Sequence, residues 1–580
     1  MTLEIRRRPH DGMLESLRDL HPVLKRIYGA RGVSGADDLD LSLERLLPVS
    51  TLDGVERAAE LLAAHRVSGR VLVVGDFDAD GATGSALLVR ALRALGFAHV
   101  DFLVPNRFQF GYGLTPGIVT LAEQRRPSLI VTVDNGVSSV EGVQAARALG
   151  IQVLITDHHL PGARLPAAEA IVNPNLAGSA FSSPALSGVG VAFYVIAALA
   201  RSLSVPQFRP AELLDLVALG TVADLVPLDR NNRVLVAQGL KRIRAGRCTP
   251  GIRALLESAG RPLERVTAAD LGFAVAPRLN AAGRLSDMSV GIECLLADDD
   301  ARARALAAQL TRLNEERREI EQRMQIEAAE LAAGVRFADP GGETLGLCLF
   351  DESWHQGVVG LVAGRIKDRL HRPVIAFARA QDGSLRGSAR SVAGIHIRDV
   401  LDTVAAKHPG LIEKFGGHAM AAGMTLPAPN LESFRRAFAA EVAARADAEA
   451  LAGVILSDGP LFAAELSLDT ARMLRGAGPW GQGFPEPMFD GTFKIADLRV
   501  VGGRHLKMRL QEARSSPTAS DADGRLEAIA FGYVGGASED PALERGAAVD
   551  LVYRLEVNEY NGAEQLQLNC QHLALRRENL

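Results

Sequence analysis

The sequence is poor in cysteine and aromatic residues and contains no long apolar run. Four cysteines occur in 580 residues, and aromatic residues make up 5%. The cysteines stand far apart, which argues against a disulfide framework or a cysteine-rich zinc site and indicates a reducing cytoplasm. The longest apolar stretch, residues 189–200, is shorter than the ~18 residues that a membrane helix needs. The arginines near the start precede no apolar run, so a secretory signal is not expected either.

The chain also lacks the basic excess that is usual for proteins that bind nucleic acid. It carries 64 Lys and Arg against 69 Asp and Glu, which gives a net charge of -5. Carboxylates that bind cations add negative charge that the cations cancel. Residues 241–265 and the segment around Arg386 and Arg390 are locally basic. Net charge alone therefore does not exclude a nucleic-acid substrate.

Two kinds of pattern alternate from about residue 69. Short β-branched runs (RVLVVGDFDADG, HVDFLVPNR, SLIVTVDNG and QVLITDHH) alternate with segments of helical spacing, which predicts a parallel α/β sheet with crossover helices. More helices are expected between residues 186 and 296. Residues 298–333 have strong helix formers and neither Pro nor Gly, which predicts one long helix. A second α/β unit follows at about 343–426.

The last part of the chain, from about residue 461, is rich in short strand-like runs. Their regular spacing predicts a small β-barrel of the OB type, with residues 515–525 as a loop between two strands. A chain of this length is too long for one hydrophobic core. The expected division is a helical segment at 1–50, a first α/β domain at 51–297, a connecting helix at 298–335, a second α/β domain at 336–455 and a barrel at 456–580.

Acidic and histidine side chains follow three of the predicted strands. They are Asp76, Asp78 and Asp80 in DFDADG, Asp134 in VDNG, and Asp157, His158 and His159 in TDHH; Asp224 follows in GTVADLVPL. Ligands of an open parallel sheet bind beyond the carboxyl ends of its strands, so these side chains are expected to lie together. Crowded carboxylates cannot all stay ionised without a cation. Asp with His suits Mn²⁺ or Mg²⁺, and two such ions are expected.

Each of these residues has a plainer interpretation when it is taken alone. Asp80 or Asp134 could cap a helix, the adjacent histidines could be structural, and Asp224 could be a loop residue. Their occurrence at consecutive strand ends favours the metal site over chance.

The motifs DFDADG, VDNG, DHH and GTVADLVPL, in this order, resemble those of the DHH phosphoesterase superfamily. RFQFGYGL, PRLNAAGR, SWHQGVVGLVAGR, RGSARS, FGGHAMAAG and GPWGQGFPEPMF resemble the RecJ exonucleases in particular. The resemblance implies a parallel-sheet DHH domain, a long connecting helix, a DHH-associated α/β domain and a C-terminal OB-like barrel. It also implies a metal-dependent exonuclease that degrades single-stranded DNA 5′ to 3′ to mononucleotides in recombination and repair. A single-strand-binding protein and a helicase are the partners that it suggests.

The resemblance further implies roles for single residues. The implied metal ligands are Asp78, Asp80, Asp134, His158 and Asp224, with Asp76 and Asp157 as supporting neighbours and His159 facing the scissile phosphate. The implied substrate contacts are Arg107, Tyr112, Asn280, Arg284, His355, Ser388, Arg390, Gly416, Gly417 and His418. Alternatives remain for some of them: Tyr112 and His418 could be packing residues, and Arg386 and Arg390 could form a solvated face. Trp480, Phe484 and Phe489 are candidates for stacking on bases, with core packing as the alternative.

One position departs from the pattern of many relatives. They carry a metal-binding His four residues before Asp78, where this chain has Val74. One ion is therefore expected to have one protein ligand fewer. A pyrophosphatase or cyclic-dinucleotide phosphodiesterase, and a non-catalytic replication scaffold, are the competing functions. The barrel argues for a longer polymer, and the full set of ligands argues against a scaffold.

Overall fold

The computed structural model describes residues 3–9, 17–333, 345–446, 451, 453–512, 525–534, 543–560 and 562–576, with the side chains of Arg107, Phe108, Ala333 and Tyr560 excepted. The chain divides into two compact units. The N-terminal unit comprises Pro9–Asn314 and Arg472–Pro487, and the C-terminal unit comprises Met1–Arg8, Glu315–Ala471 and Met488–Leu580. All of the predicted loop at 515–525 except Arg525 lies outside the described residues.

The N-terminal unit contains a five-stranded sheet of order β3-β2-β4-β5-β6 in which every neighbouring pair is parallel. Its strands are β2 Arg70–Gly75, β3 His99–Leu103, β4 Leu129–Val133, β5 Gln152–Thr156 and β6 Ala170–Val172. The three central strands are rich in Val, Leu and Ile and almost wholly buried, as a sheet covered by helices on both faces requires. The predicted parallel α/β sheet is confirmed.

Helices connect these strands and continue after them. The helices of the N-terminal unit are α1 Pro22–Gly29, α2 Val55–Ala64, α3 Ala79–Ala94, α4 Arg107–Phe110, α5 Pro116–Glu123, α6 Val140–Ala148, α7 Gly188–Leu203, α8 Leu214–Ala223, α9 Arg230–Arg244, α10 Pro250–Ser258, α11 Ala268–Asp270, α12 Ala276–Leu285 and α13 Ser289–Leu296. The helical region predicted after residue 186 is confirmed. Among the helices that the structure describes, none is both long and apolar enough to cross a bilayer.

The predicted long helix is α14, Asp300–Ala333, and the boundary between the two units falls within it. The second α/β unit follows, with a sheet of order β10-β11-β9-β8-β7 in which only β7 and β8 are parallel. Its elements are β7 Leu347–Phe350, α15 Val359–Leu370, β8 Val374–Arg379, β9 Leu385–Arg390, α16 Ile397–Lys407, β10 Lys414–Gly417, β11 Ala421–Leu426 and α17 Leu431–Arg445. The helices α16 and α17 cover the sheet through a core that includes Phe377, Phe434 and Phe438.

A closed five-stranded barrel completes the C-terminal unit, as predicted, with the order β13-β14-β15-β17-β16. Its strands are β13 Phe489–Val501, β14 His505–Glu512, β15 Leu526–Ala530, β16 Ala548–Tyr560 and β17 Ala563–Leu575. A separate parallel pair joins β1 Glu4–Arg7 to β12 Val454–Ser457, in the register Glu4 to Val454. The helical prediction for residues 1–50 is therefore wrong at β1.

The motif GPWGQGFPEPMF lies at the start of the barrel in sequence, but most of it packs in the N-terminal unit. It follows helix α18, Leu468–Gly476, and the ring of Trp480 stacks on Phe484 with centroids 5.2 Å apart. Both rings stack on Tyr28, and the guanidinium of Arg233 lies 4.3 Å from the Phe484 ring centroid. Phe484 and Phe489 are both buried. Packing is therefore the observed role of these candidate stacking residues.

Replacing Phe484 by Ala tests whether this aromatic cluster holds residues 472–487 in place. Phe484 is 4% exposed, and truncating a buried Phe to Ala costs about 3–5 kcal/mol. We expect a lower midpoint for the thermal transition of the N-terminal unit and faster proteolysis within 472–487. Phe462, which is 70% exposed, supplies the control, since its Ala variant should unfold as the wild type does. Equal stability of the two variants would contradict the anchoring role.

Candidate metal centre

The carboxyl ends of the adjacent strands β2, β4 and β5 bring the predicted acidic motifs together. Asp76 follows β2, Asp134 follows β4, and Asp157 follows β5. Asp78 caps α3 by accepting a hydrogen bond from the Gly81 N–H at 3.0 Å, and Asp80 lies in the first turn of that helix. Asp224 is the C-terminal cap residue of α8.

Three overlapping groups of side chains could each hold a metal ion. Within each group, the donor atoms lie within 4.8 Å of one another. The groups are Asp76, Asp78 and Asp134; Asp80, His158 and Asp224; and Asp134, His158 and His159. His158 Nε2 lies 3.0 Å from Asp134 Oδ1 and 3.6 Å from Asp224 Oδ2. Asp134 and His158 each belong to two groups, so the donors form one continuous cluster. Carboxylate oxygens with imidazole nitrogens fit Mn²⁺ or Mg²⁺.

Burial and mutual repulsion strongly perturb the carboxylates in this cluster. Burial, with the charge of Asp78, raises the pKa of Asp80 to about 7. Burial and the neighbouring carboxylates also raise the pKa values of Asp134 and Asp224 well above the ordinary range. Negative charge is therefore unfavourable here unless a cation compensates it, which is the electrostatic condition for binding divalent metal.

The N-terminus of α7 holds Asp80 in place. The backbone N–H groups of Gly188 and Val189 donate to the two Asp80 oxygens at 2.7 and 3.0 Å. A β-carbon on Gly188 would lie 2.6 Å from that of Asp134, and one on Gly220 would lie 2.7 Å from Asp80 Oδ1. These two glycines allow α7 and α8 to approach the carboxylates. They were not predicted as site residues, although a glycine inside an apolar helical run is a signal of close packing.

Asp157 and His159 form a charged pair beside the cluster. Asp157 Oδ1 lies 2.8 Å from His159 Nδ1 and accepts from the N–H groups of His158 and His159, while Oδ2 accepts from the Val137 N–H. Burial raises the pKa of Asp157, but its contacts with His159, the Val137 N–H and the charge of His158 together leave the pKa below its usual value. Burial lowers the pKa of His159, yet Asp157 and the other carboxylates leave it raised. Asp157 therefore orients His159 and favours its imidazolium.

Tyr112 connects this pair to the cluster. Its hydroxyl donates to the Asp134 backbone oxygen at 2.9 Å and lies 3.1 Å from His159 Nδ1. The ring packs edge-on against Phe77 and His159, and the residue is 47% exposed. Tyr112 thus packs against the centre and also retains an exposed surface.

Val74 lies in the middle of β2 and supplies no ligand. Its side chain is fully buried in an apolar cluster with Leu72, Ile118 and Ile130. Val74 is part of the hydrophobic core, so this position does not provide the metal-binding His that many relatives carry there.

Three further predicted residues belong to the N-terminal unit, and one of them contacts the DFDADG segment. Asn280 accepts a hydrogen bond from the Ala79 N–H at 2.8 Å and so fixes the start of α3. Arg284 is half-buried one turn later on α12. Arg107 begins α4, and its side chain lies outside the described residues.

The remaining predicted residues belong to the C-terminal unit and lie around β9. Ser388 on β9 pairs with Gly423 on β11, which pairs with Gly416 on β10. A β-carbon on either glycine would have open space around it. These three residues form a row across three strands that leaves room for another molecule to approach the backbone.

Arg390 lies two residues after Ser388 on β9, where it pairs with Ala421 on β11. It donates to Ser388 Oγ at 3.0 Å and to the Ala389 carbonyl, and it has no carboxylate partner among the described residues. A β-carbon on Gly360 would lie 3.0 Å from its Nη2. Arg386, on the same strand, pairs with Asp382 at 3.1 Å. Only Arg390 of the two therefore has a positive charge that the protein does not neutralise by contact.

The two predicted histidines of this unit, His355 and His418, lie outside its helices and strands. His355 Nδ1 accepts from the Gly357 N–H at 3.1 Å just before α15, and burial lowers the pKa of its imidazole. His418 is exposed, and its N–H donates to the Ala421 carbonyl in the turn between β10 and β11. Gly417 has a φ of 147°, which favours glycine. The alternative of a buried core histidine does not hold for His418.

Metal binding should stabilise the N-terminal unit, because it removes the repulsion among buried carboxylates. At a hundredfold excess over Kd, each ion adds about 2.7 kcal/mol, so Mn²⁺ should raise the unfolding midpoint of the metal-free protein. Asp134→Asn should abolish most of this rise, because it removes a carboxylate that belongs to two of the donor groups. The variant should still fold, since Asn keeps the shape of the side chain and tolerates the φ of 62° at this position.

Asp215→Asn is the matched control for that experiment. Asp215 is also buried, but it accepts from the Thr249 N–H at 2.7 Å and belongs to none of the three groups. Its variant should lose stability yet keep the full response to Mn²⁺. A response that is lost equally in both variants, or absent from the wild type, would contradict the assignment.

Three family profiles match successive parts of the chain. The DHH family N-terminal domain matches residues 70–221, the DHHA1 domain matches residues 343–444, and the RecJ OB domain matches residues 457–572. The first of these ranges contains every residue of the three donor groups except Asp224.

Characterised relatives match nearly the whole chain. The single-stranded-DNA-specific exonuclease RecJ of Escherichia coli is 50% identical over 581 residues, covering 98% of each chain. The RecJ of Thermus thermophilus is 36% identical over 504 residues, covering 86% of this chain and 70% of the relative. The crystal structure of T. thermophilus RecJ in complex with Mn²⁺ superimposes with a TM-score of 0.81 and 31% identity, covering 100% of this chain and 80% of that one. The crystal structure of T. thermophilus RecJ in complex with Mg²⁺ gives a TM-score of 0.74 and 29% identity, covering 99% of this chain and 78% of that one. The chain therefore belongs to the RecJ family of exonucleases.

Proposed function

We propose that this chain is a metal-dependent exonuclease that hydrolyses the phosphodiester bonds of single-stranded DNA. The observation that carries this proposal is the continuous donor cluster in which Asp134 and His158 each belong to two groups. Such a cluster suits two divalent cations. Mn²⁺ and Mg²⁺ are the proposed ions, since T. thermophilus RecJ has been crystallised in complex with each of them. Its expected ligands are Asp78, Asp80, Asp134, His158 and Asp224, with Asp76 beside them. Bound there, such ions supply Lewis acidity and a nucleophilic water near neutral pH.

The side chains around the cluster position and stabilise the reacting phosphate. His159, held by Asp157 with a raised pKa, presents a positive charge and a proton to a phosphate beside the ions. The Tyr112 hydroxyl holds the Asp134 backbone and contacts His159, which fixes the distance between ligand and imidazole. Asn280 holds the first turn of α3 and with it Asp78 and Asp80.

Contacts to the rest of the strand are proposed for the C-terminal unit. Arg390 and Ser388 offer a guanidinium and a hydroxyl beside an open glycine row, a surface suited to a phosphate chain. His355, Gly416, Gly417 and His418 are proposed as its neighbours. Arg107, Tyr112 and Arg284 are proposed as separate substrate contacts in the N-terminal unit. The barrel is proposed as an additional groove for single strands, although Phe489 and Phe493 face its core.

The finer parts of the function rest on resemblance. We propose 5′-to-3′ polarity, mononucleotide products, a role in recombination and repair, a cytoplasmic location, and contacts with a single-strand-binding protein and a helicase. The domain division at residues 50, 297, 335 and 455 likewise remains a proposal.

Single-stranded DNA labelled at one end or the other tests activity and polarity together. With Mn²⁺ or Mg²⁺, the wild type should release a 5′ label early as mononucleotide, shorten a 3′-labelled strand progressively and spare a duplex. Asp134→Asn should lower the rate by roughly a thousandfold or more, because metal ions contribute several kcal/mol of transition-state stabilisation. Asp215→Asn is again the control and should remain active.

Other outcomes of the same assay would favour the competing functions. Hydrolysis of pyrophosphate or a cyclic dinucleotide with the long strand intact would indicate a small-substrate phosphoesterase. Strand binding without metal uptake or cleavage would indicate a scaffold. Early release of a 3′ label would reverse the proposed polarity.

Arg390→Ala tests the proposed phosphate contact on β9. A hydrogen bond to a charged group contributes about 1.5–3 kcal/mol, so KM for single-stranded DNA should rise roughly tenfold or more while kcat changes less. Arg386→Ala removes an arginine from the same strand that already has a carboxylate partner, and its KM should stay near that of the wild type. Comparing 5′-phosphorylated with 5′-hydroxyl strands locates the contact: a loss confined to phosphorylated ends would place Arg390 at the terminal phosphate. Equal effects of the two substitutions would contradict the assignment.

A further inference from the structure

A cavity lies in the N-terminal unit, and none of the residues that line it belongs to the metal centre. Its volume is about 230 Å³, below the ~300 Å³ at which pockets for drug-sized ligands begin. Its lining residues are Tyr28, Leu39, Leu41, Arg233, Gly476, Ala477, Gly478, Pro479 and Phe484. No carboxylate is among these lining residues.

Arg233 is the unusual member of this lining. The residue is 6% exposed, and its Nε is fully buried without a hydrogen-bond partner. Within the part of the chain that the structure describes, its guanidinium makes no hydrogen bond or ion pair; the Phe484 ring, 4.3 Å away, is its close contact. Its terminal nitrogens are not among the fully buried unpaired atoms. They therefore retain accessible surface, and the residue borders the cavity.

The carboxylates nearest to Arg233 are engaged elsewhere. Asp38 accepts from the Ser34 N–H and hydroxyl at 2.8 and 2.7 Å. Asp229 caps α9 through the Asn232 N–H at 2.9 Å and also accepts from the Ser183 hydroxyl. Both act on Arg233 only at longer range, and burial lowers the pKa of its guanidinium. A buried charge without a contacting partner is costly, and a ring face alone compensates only part of that cost.

The cavity walls determine which kind of anion fits. The backbone carbonyl of Ala477 accepts from the Tyr28 hydroxyl, and that of Leu474 accepts from the Trp480 indole, so neither needs a ligand donor. Apart from Arg233, the side chains of the wall are aliphatic or aromatic. A phosphate carries close to two charges near neutral pH and requires several donors, whereas a carboxylate carries one charge and pairs with one guanidinium in bidentate geometry.

We propose that this cavity binds a monocarboxylate with a small apolar body, held by Arg233. The carboxylate lies against the guanidinium, and the apolar body lies between Leu39, Leu41 and Pro479. A free carboxylic acid and the last residue of a peptide share this chemistry. The site goes beyond the proposed nuclease function and is tested without DNA or metal.

Ligand-observed NMR and calorimetry on the full chain test the proposal with N-acetyl-L-leucine as the probe. A roughly millimolar Kd is expected for a ligand of this size. N-acetyl-L-leucinamide has the same apolar body without the charge, and its affinity should be lower by about tenfold or more. 4-Methylpentanoate keeps the carboxylate and side chain but lacks the peptide group. Tighter binding of N-acetyl-L-leucine than of this acid identifies a chain end, and the reverse identifies a free acid.

Two substitutions locate the site. Arg233→Met removes the charge and keeps the length of the side chain, and Leu39→Trp fills the cavity while Arg233 remains. Both should abolish binding of N-acetyl-L-leucine. Arg244→Met is the matched control on the same helix, because that guanidinium already donates to the Val266 carbonyl at 2.8 Å and does not line the cavity.

Several results would overturn the proposal. They are the absence of saturable binding of the acid to the wild type, equal binding of acid and amide, or full binding by the folded Arg233→Met or Leu39→Trp variant. Tighter binding of inorganic phosphate or thymidine monophosphate would assign the cavity to phosphorylated ligands instead. The comparison of acid with amide uses only the wild type, so it decides the matter even if a variant fails to fold.

Discussion

Repulsion among carboxylates at one edge of the N-terminal sheet is the constraint on which the rest of the structure depends. Asp76, Asp80 and Asp134 are each 5% exposed or less and lie within one cluster. Water cannot solvate these groups fully, so their charge must be balanced by hydrogen bonds and cations. The fold supplies the hydrogen bonds, and divalent ions supply the remaining charge. Divalent cations would therefore stabilise the ionised form of this cluster.

The surrounding helices are arranged to tolerate this charge. The N-terminus of α7 directs two N–H groups at Asp80, and the partial positive charge of a helix N-terminus adds to their effect. Gly188 and Gly220 permit this approach, because a β-carbon at either position would meet a carboxylate residue closely. Asp134 adopts a positive φ, which an aspartate can accept and a β-branched residue could not easily. Backbone geometry, as well as the acidic side chains, thus defines the centre.

The sequence predicted the sheet and the acidic cluster because both follow from local patterns. β-Branched runs ending in Asp place the carboxylates at the same edge once the strands are parallel. Prediction from the sequence failed where the structure depends on contacts between residues that are distant in the chain. β1 is a short polar strand that pairs with residues about 450 positions away, and no local pattern indicates that partner. The packing of Phe484 on Tyr28 and Arg233 likewise joins segments far apart in the chain. The two glycines of α7 and α8 were missed because their role becomes visible only when helices and strands are assembled.

The two adjacent histidines of one short motif lie in different electrostatic surroundings. His158 lies among the carboxylates whose pKa values are raised, and its Nε2 is close to both Asp134 and Asp224. His159 pairs instead with Asp157, whose pKa is lowered, and its own pKa is raised. Asp157 accepts three backbone N–H groups, and its contacts with His159 help to hold its own pKa below the usual value. The place of Asp157 directly after β5 thus puts a hydrogen-bonding carboxylate beside His159, whereas Nε2 of His158 lies 3.0 Å from Asp134 Oδ1.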